Sequence, residues 1–226
     1  MKSSVPQVDV ILPFRGSAER LRQQLESLWE NTVTPCRAIV VNAARAADVT
    51  EMVGAYRAAV RSMPVEMLEP NGKPEFTVAC MVALDRIAPE VSYVAILDPS
   101  VEILDRRWLE KLALPLMRDS TAGLVVTDPR TPARNAPPYR ILPNSPTVVS
   151  RGLTLFRARA ARELGFGYGP DDFHPGFRAE LAKRGCSTWF EPSVRLRYFA
   201  PPVPRDPGRR ASAAQAQTQG STHQSA

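Results

Sequence analysis

The chain has 226 residues, a formal net charge of +6, a pI of about 9.6, three cysteines and two histidines. At roughly 100–200 residues per domain it is one folded unit plus a tail, and its 44% apolar content excludes wholesale disorder. Cys36, Cys80 and Cys186 are odd in number and form no CxxC pair, which argues for reducing surroundings and against a zinc ribbon or disulfide framework. With His223 in the tail, only His174 remains for the folded part, so a multi-histidine metal site within the chain is excluded. The opening MKSSVPQVDVILPF lacks the apolar core of a signal peptide, and no run approaches the ~18 apolar residues of a membrane span. The expectation is a cytoplasmic protein, whose positive charge also suits peripheral contact with the inner membrane face.

In chain order, Val8 to Leu12 is a β-branched apolar run ended by Pro13, the pattern of a buried strand. Gly16-Ser17 supplies a turn and an N-cap for a helix whose Leu21, Leu25 and Leu28 share one face and which ends near Asn31. A second short strand spans Ala38 to Val41, a helix runs from about Asp48 to Val60, and a brief strand surrounds Val65 to Leu68. A third helix covers Thr77 to Ile87 and a fourth strand Tyr93 to Leu97. Strands alternating with helices predict a mostly parallel, doubly wound α/β sheet flanked by helices, which binds ligands at the carboxyl ends of its strands. Those ends are Pro13-Phe14-Arg15, Asn42-Ala43 and Asp98-Pro99-Ser100; the plainer reading is that loops are polar anyway.

A helix near Arg107 to Met117 and a strand from Gly123 to Val126 precede a change of texture. Residues 128–146 hold six prolines together with Arg130, Arg134 and Arg140, and read as a structureless loop or lid. Val148-Val149 and Leu153 to Phe156 suggest further strand, Arg159 to Leu164 and Arg178 to Arg184 short helices, and Thr188 to Phe190 and Val194 to Phe199 closing strands in a smaller mixed β region. Residues 1–200 would be the domain, and 201–226, rich in Pro, Ala, Gln, Ser and Thr, a solvated tail. Trp29, Trp108 and Trp189 each sit beside apolar positions of an expected element and read as core packing.

Several chemistries lack their motifs: there is no GxGxxG after the first strand, no GxxxxGK[ST] and no GxSxG elbow. Four segments in order do carry a resemblance: VDVILPFRGSAERLRQQLESLWENT, AIVVNAA, YVAILDPSVEILDRRWLEKLALPL and DDFHPGFRAELAKRGCSTWFEPSVRLRYF. Together they resemble the family 2 glycosyltransferases of the GT-A fold, over about Val8 to Tyr198. The resemblance implies inverting transfer of a sugar from a nucleoside diphosphate donor to a saccharide or other hydroxyl acceptor.

It also implies roles. Asp172, with Asp171 as neighbour or alternate, would be the base for the acceptor hydroxyl, a role typically worth ~10²–10⁴-fold. Asp98 and Ser100 stand where the family's aspartate-any-aspartate motif holds a divalent magnesium or manganese ion, so one carboxylate is replaced by a hydroxyl. Pro13, Phe14, Arg15, Asn42, Lys73, Asp98 and Arg178 would line the nucleotide-sugar site. Phe14 would pack beneath the base, Arg15 reach a phosphate, and Asn42 stand where the family usually has an aspartate. Tyr198 replaces a histidine that many relatives use as a metal ligand. Lys73, Arg178 and the arginines of residues 128–146 could offset the weakened metal motif, and Glu102 could replace the lost carboxylate or simply face solvent. The acidic pair is ambiguous in register: counting back from Gly185 would place it at Phe173-His174.

Three function classes follow. The first is a nucleotide-sugar transferase with a compact acceptor, or with a partner protein or second copy completing the acceptor surface. The second is a non-catalytic module on the same scaffold, favoured by Ser100 and Tyr198. The third, a nucleic-acid binder, lacks any aromatic-interleaved basic stripe, and no nucleic acid is expected as a partner.

Overall fold

A computed structural model describes residues 8–60, 62–72, 74–131, 134–142, 152–164 and 173–199. Lys73, Asp171 and Asp172, the Val148-Val149 pair and the tail 201–226 therefore lie outside the described residues, and the side chain of His174 does too.

The chain begins with β1 (Val8–Phe14), α1 (Ala18–Glu30), β2 (Cys36–Asn42), α2 (Ala47–Ala59) and β3 (Val65–Leu68). It continues with α3 (Phe76–Leu84), β4 (Tyr93–Leu97), β5 (Val101–Ile103), α4 (Trp108–Arg118) and β6 (Ala122–Thr127). Then come β7 (Tyr139–Ile141), β8 (Leu153–Arg157), α5 (Ala158–Leu164), α6 (Phe173–Lys183), β9 (Ser187–Phe190) and β10 (Leu196–Tyr198). Eight strands form one sheet in the order β3-β2-β1-β4-β8-β6-β9-β7, while β5 and β10 pair separately as an antiparallel ribbon. Strands β1, β2, β3, β4, β6 and β9 run in one direction and end on one edge; β8 and β7 run against them.

The alternation of side chains along a strand divides the core into two layers. On β1, Val8, Val10, Leu12 and Phe14 pack with α1, α2 and α4, represented by Leu21, Leu25, Leu28, Val49, Val53, Trp108 and Leu112. Ile11 faces the other way, with α3, α5 and α6, represented by Cys80, Ala83, Ala161, Phe177 and Leu181. Helices thus cover both faces, which explains why the central strands are apolar throughout rather than alternating. Phe156 of β8 meets Phe177 of α6 edge-on at 5.1 Å, tying the sixth helix to the sheet.

The expected Ser17 cap is present: its hydroxyl accepts from the Arg20 N–H at 3.4 Å. Two expectations need correction. The Pro-rich stretch is not structureless throughout, because β7 lies within it and pairs with β9; prolines are compatible with this strand at the sheet edge. Trp29 is not core packing: it is 44% exposed and donates its indole N–H to the Ser62 hydroxyl at 2.9 Å. Trp108 is buried as expected, with its indole N–H on the Thr32 hydroxyl at 2.9 Å. The sheet is mostly parallel as expected, and its mixed part, where antiparallel β8 separates β4 from β6 and β7 closes the edge, is built from the C-terminal half of the chain.

Candidate functional site at the carboxyl edge of the sheet

The shared strand direction brings chemistry-bearing residues to one edge: Arg15 after β1, Asn42 at the end of β2, Asp98 after β4, Asp128 after β6 and Glu191 after β9. Asp98, Asp128 and Glu191 are all nearly inaccessible to solvent. Gly152, just before β8, sits between the first two. Its carbonyl accepts the Asp98 N–H at 2.9 Å, and a Cβ placed on it would collide with the Thr127 carbonyl oxygen.

A cavity of about 690 Å³ opens beside Asp98, lined by the β1 end, the start of α1, the Pro99-Ser100 turn and Phe199. Its size falls in the ~300–1,000 Å³ range of small-molecule sites. Phe14 lines it with a fully buried ring, and Gly16 passes so close that a Cβ there would lie 2.7 Å from the ring. Arg15 lines it too and donates a hydrogen bond to the Pro74 carbonyl. Arg20, in the first turn of α1, lays its guanidinium over the Phe199 ring at 4.3 Å from the centroid. Glu19 also lines the cavity and is bound by Arg22 at 2.7 Å, whose hydrogen bond holds its carboxyl below the usual range.

Pro99, Ser100 and Phe199, which line the cavity beside α1, flank the two strands of the β5–β10 ribbon. Tyr198 pairs with Val101, and the Phe199 N–H donates to the Ser100 carbonyl at 2.8 Å, which fixes the aromatic ring beneath Arg20. Gln24 of α1, fully buried, donates its amide to the carbonyls of Asp98 at 2.8 Å and Val101 at 3.2 Å, tying the helix to the same turn. Nothing in the sequence of α1 signals this role, since glutamine fits a solvent face equally well.

The remaining expected residues are placed as follows. Pro13 lies within β1, buried, and paired with Val41 of β2. Asn42 is fully buried and its amide closes a local loop, donating to the Ala46 carbonyl at 3.1 Å and accepting from the Ala46 N–H at 3.3 Å. Both ends of that amide are thus occupied by backbone. Arg178 is on α6, and burial depresses its pKa. Glu102 is bound by Arg197 at 2.5 Å across the ribbon, so that carboxylate is committed there rather than to the Asp98 turn. Of the arginines in the Pro-rich stretch, Arg130 is bidentate on Asp128 at 2.7 and 3.1 Å, with Tyr198 close enough to raise its pKa further, and Arg140 pairs with Asp119 at 2.9 Å.

Asp98 and Ser100 form a closed unit. Asp98 Oδ1 accepts both the Ser100 N–H, at 2.8 Å, and the Ser100 hydroxyl. The turn therefore consumes the Ser100 proton and one Asp98 oxygen internally. Among the described residues no three His, Cys, Asp or Glu side chains gather as a cation site. A magnesium-type ion at a phosphate substrate is held by one or two carboxylates, with substrate phosphates and waters filling the rest of its shell; here the second oxygen of Asp98 would be the carboxylate ligand, and the Ser100 hydroxyl, turned onto Asp98 Oδ1, would be a weaker donor than a second carboxylate.

No family model matches the sequence, and no curated protein is similar to it by sequence. Solved structures are similar to it in fold. A mannosyltransferase of Pyrobaculum calidifontis, PcManGT, in complex with GDP-Man and Mn2+, superposes with a TM-score of 0.69 at 21% identity, over 96% of this chain and 63% of its own. The chain has a GT-A-like fold. GalNAc-T7 with UDP, GalNAc and Mn2+ superposes at 0.68 and 14% identity, over 88% of this chain and 44% of its own. Residues 1–349 of TarS from S. aureus superpose at 0.60 and 14% identity, over 84% and 59%. This chain therefore spans 44% to 63% of the length of these structures. The first segment of the sequence correctly located β1, its turn and α1, whereas Arg20, Phe199, Gln24 and Asp128 gave no signal there.

Proposed function

We propose that the chain is a nucleotide-sugar glycosyltransferase that binds its donor in the cavity between the β1 end, α1 and the Asp98 turn. The observation that carries the reading is this cavity, at the carboxyl edge of a GT-A-like sheet, with a buried aromatic floor and two arginines on its lining. The complexes of PcManGT with GDP-Man and of GalNAc-T7 with UDP support a nucleoside diphosphate as the ligand class.

In this reading Phe14 supports the base, Arg15 reaches the diphosphate, and Asp98 accepts from a ribose hydroxyl through its second oxygen. Asp172, at the entrance to α6 with Asp171 beside it, removes the acceptor proton. The acceptor oxygen attacks the anomeric carbon in line with the departing phosphate oxygen, which leaves with the electron pair of the broken carbon–oxygen bond. One displacement inverts the anomeric centre. It needs one base and one leaving-group site, unlike the paired carboxylates of a glycosidase. Only about fifty residues separate the Pro-rich loop from Tyr198, which suits a compact acceptor or an acceptor side shared with a partner protein.

A thermal-shift panel of UDP, GDP, CDP and TDP tests donor binding, since a ligand selective for the folded state raises the melting temperature. Release of nucleoside diphosphate from the matching sugar nucleotide then tests transfer, and Asp172→Asn should remove turnover while leaving the thermal shift intact. The closed Asp98–Ser100 unit favours a second reading, a non-catalytic module that binds a nucleotide without transferring sugar. A nucleotide shift with no turnover on any donor–acceptor pair would select it.

A further inference from the structure

We infer that Gln24 is a positioning residue for the donor site: from inside α1 it holds the turn that carries Asp98, and so sets where that carboxylate meets the nucleotide. This rests on the nucleotide-sugar reading above, in which the second oxygen of Asp98 is a donor contact. Helix α1 carries two stripes. Leu21, Leu25 and Leu28 form the apolar one, while Gln24, Ser27 and Asn31, three and four residues apart, form a polar one on a shared face. Gln24 and Ser27 are both buried. The polar stripe serves β5, whose ribbon has only β10 as a second strand, so backbone groups of β5 that do not meet β10 need partners from elsewhere. The Gln24 amide donates to the Val101 carbonyl at 3.2 Å. The Ser27 hydroxyl accepts the Ile103 N–H at 2.9 Å and donates to the Ile103 carbonyl at 2.9 Å, and the Asn31 amide reaches the same carbonyl at 3.1 Å.

Gln24 differs from the other two because it also reaches past β5, and its shorter bond, 2.8 Å, goes to the Asp98 carbonyl. Asp98 is thereby held at three groups. Its N–H donates to the Gly152 carbonyl at 2.9 Å, its carbonyl accepts from Gln24 and from the Val101 N–H at 3.0 Å, and its Oδ1 accepts the Ser100 N–H at 2.8 Å. Both partners of the Gln24 Nε2 are carbonyls, so only the donor end of the amide can stand there. The other end, Oε1, is buried with no hydrogen-bond partner among the described residues. An unpaired buried amide oxygen weakens a fold, and an apolar side chain of equal length would avoid that loss. What an apolar side chain cannot do is donate to Asp98. The residue at this position thus gives up stability for a fixed turn, as expected where a binding group must be held to within about 0.5 Å.

The test compares Gln24→Met with Ser27→Ala in the full chain. Each removes one link between α1 and the segment from Asp98 to Ile103, so both should lower the melting temperature by about 2–6 °C. Only the first touches Asp98. Calorimetric titration with UDP, GDP, CDP and TDP in manganese chloride reads the site. The nucleotide that binds the parent should bind Gln24→Met about tenfold or more weakly, the scale of one misplaced charged hydrogen bond, and Ser27→Ala within about twofold of the parent. Asp98→Asn should weaken binding too, and adding Gln24→Met to it should cost less than about twofold more, because Gln24 acts through Asp98. Should Gln24→Met not fold, Gln24→Asn, which keeps an amide but draws it back by one methylene, carries the same expectation. Parent-like affinity in the Gln24 variant, equal losses in the Gln24 and Ser27 variants, or fully additive losses in the double variant each overturn the inference and leave the nucleotide reading standing. No binding of any of the four nucleotides by the parent refutes that reading, and the inference with it.

Discussion

Replacing Gly152 by alanine puts the geometry of the site edge to the most direct test. The new methyl would be driven into the Thr127 carbonyl oxygen and would lie 3.2 Å from the Thr127 carbonyl carbon and 3.3 Å from the Asp128 Cα. All three atoms are backbone, so no side chain can swing aside. Relief requires either that β8 move away from β6, where Leu153 pairs with Thr127, or that the Gly152 peptide rotate and release the Asp98 N–H now held at 2.9 Å. Overpacking of this kind costs about 1–3 kcal/mol, and a lost backbone hydrogen bond adds about 1 kcal/mol. At about 2–4 °C per kcal/mol for a domain of this size, the melting temperature should fall by roughly 5–15 °C. Nucleotide affinity should fall with it, because Asp98 moves. Gly54 is the control: it lies on the exposed side of α2, and a Cβ added there would meet nothing within 4 Å, so Gly54→Ala should gain up to ~1 kcal/mol from helix propensity. Differential scanning fluorimetry of both variants decides the matter. A Gly152→Ala protein melting within about 2 °C of the parent would mean that β6 and β8 do not confine this position.

Three other expectations concern the scaffold. Arg37 binds the almost inaccessible Asp9 through two nitrogens at 2.9 and 2.5 Å and reaches Glu66 at 3.0 Å, so Arg37→Ala should cost about 3–5 kcal/mol by stranding a buried carboxylate, whereas Asp9→Val with Arg37→Met should recover most of that in denaturant melts. Burial pushes the Cys36 thiol up to about 12 and raises Cys80 as well, so at pH 8.5 both stay overwhelmingly as thiols and should resist iodoacetamide in the folded protein; mass spectrometry showing rapid native-state labelling would contradict this. Asp119 is lowered to about 2 by the hydroxyl and N–H of Thr121, aided by Arg140. Its contribution to stability is therefore complete above the ordinary carboxylate range and lost as pH falls from about 4 towards 2. Carbon-detected NMR titration should find that midpoint, and Thr121→Val should move it upward.

The elements near the start of the chain were legible because each is specified locally. A β-branched run closed by a proline, a serine at the N-cap and leucines three and four residues apart encode β1, the cap and α1 without reference to anything distant. Buried strands of a two-sided sheet read as continuous apolar runs, so β2, β4 and β6 were visible for the same reason. The short strands fared worse. β5 and β7 have three residues each, and such segments become strands only when a partner, here β10 or β9, supplies the hydrogen bonds. Trp29 shows the limit of apolar pattern alone, since it stands 44% exposed with its indole N–H on the Ser62 hydroxyl, a partner 33 residues away.

The site divides along the same line. Local pattern is enough to put polar residues after apolar runs at Phe14-Arg15, Asn42 and Asp98, because a strand must surrender its apolar run where the chain leaves the sheet. What those residues do depends on partners brought from elsewhere in the fold. Asn42 closes its own loop, and Glu102 is bound by an arginine 95 residues away. Gln24 reaches a turn 74 residues on, and Arg20 finds its ring in Phe199 at the far end of the domain. A side chain's chemistry is fixed by its formula, but its availability depends on which donors and acceptors the fold sets beside it. Those neighbours come from segments whose order in the sheet, β1-β4-β8-β6, is not their order along the chain.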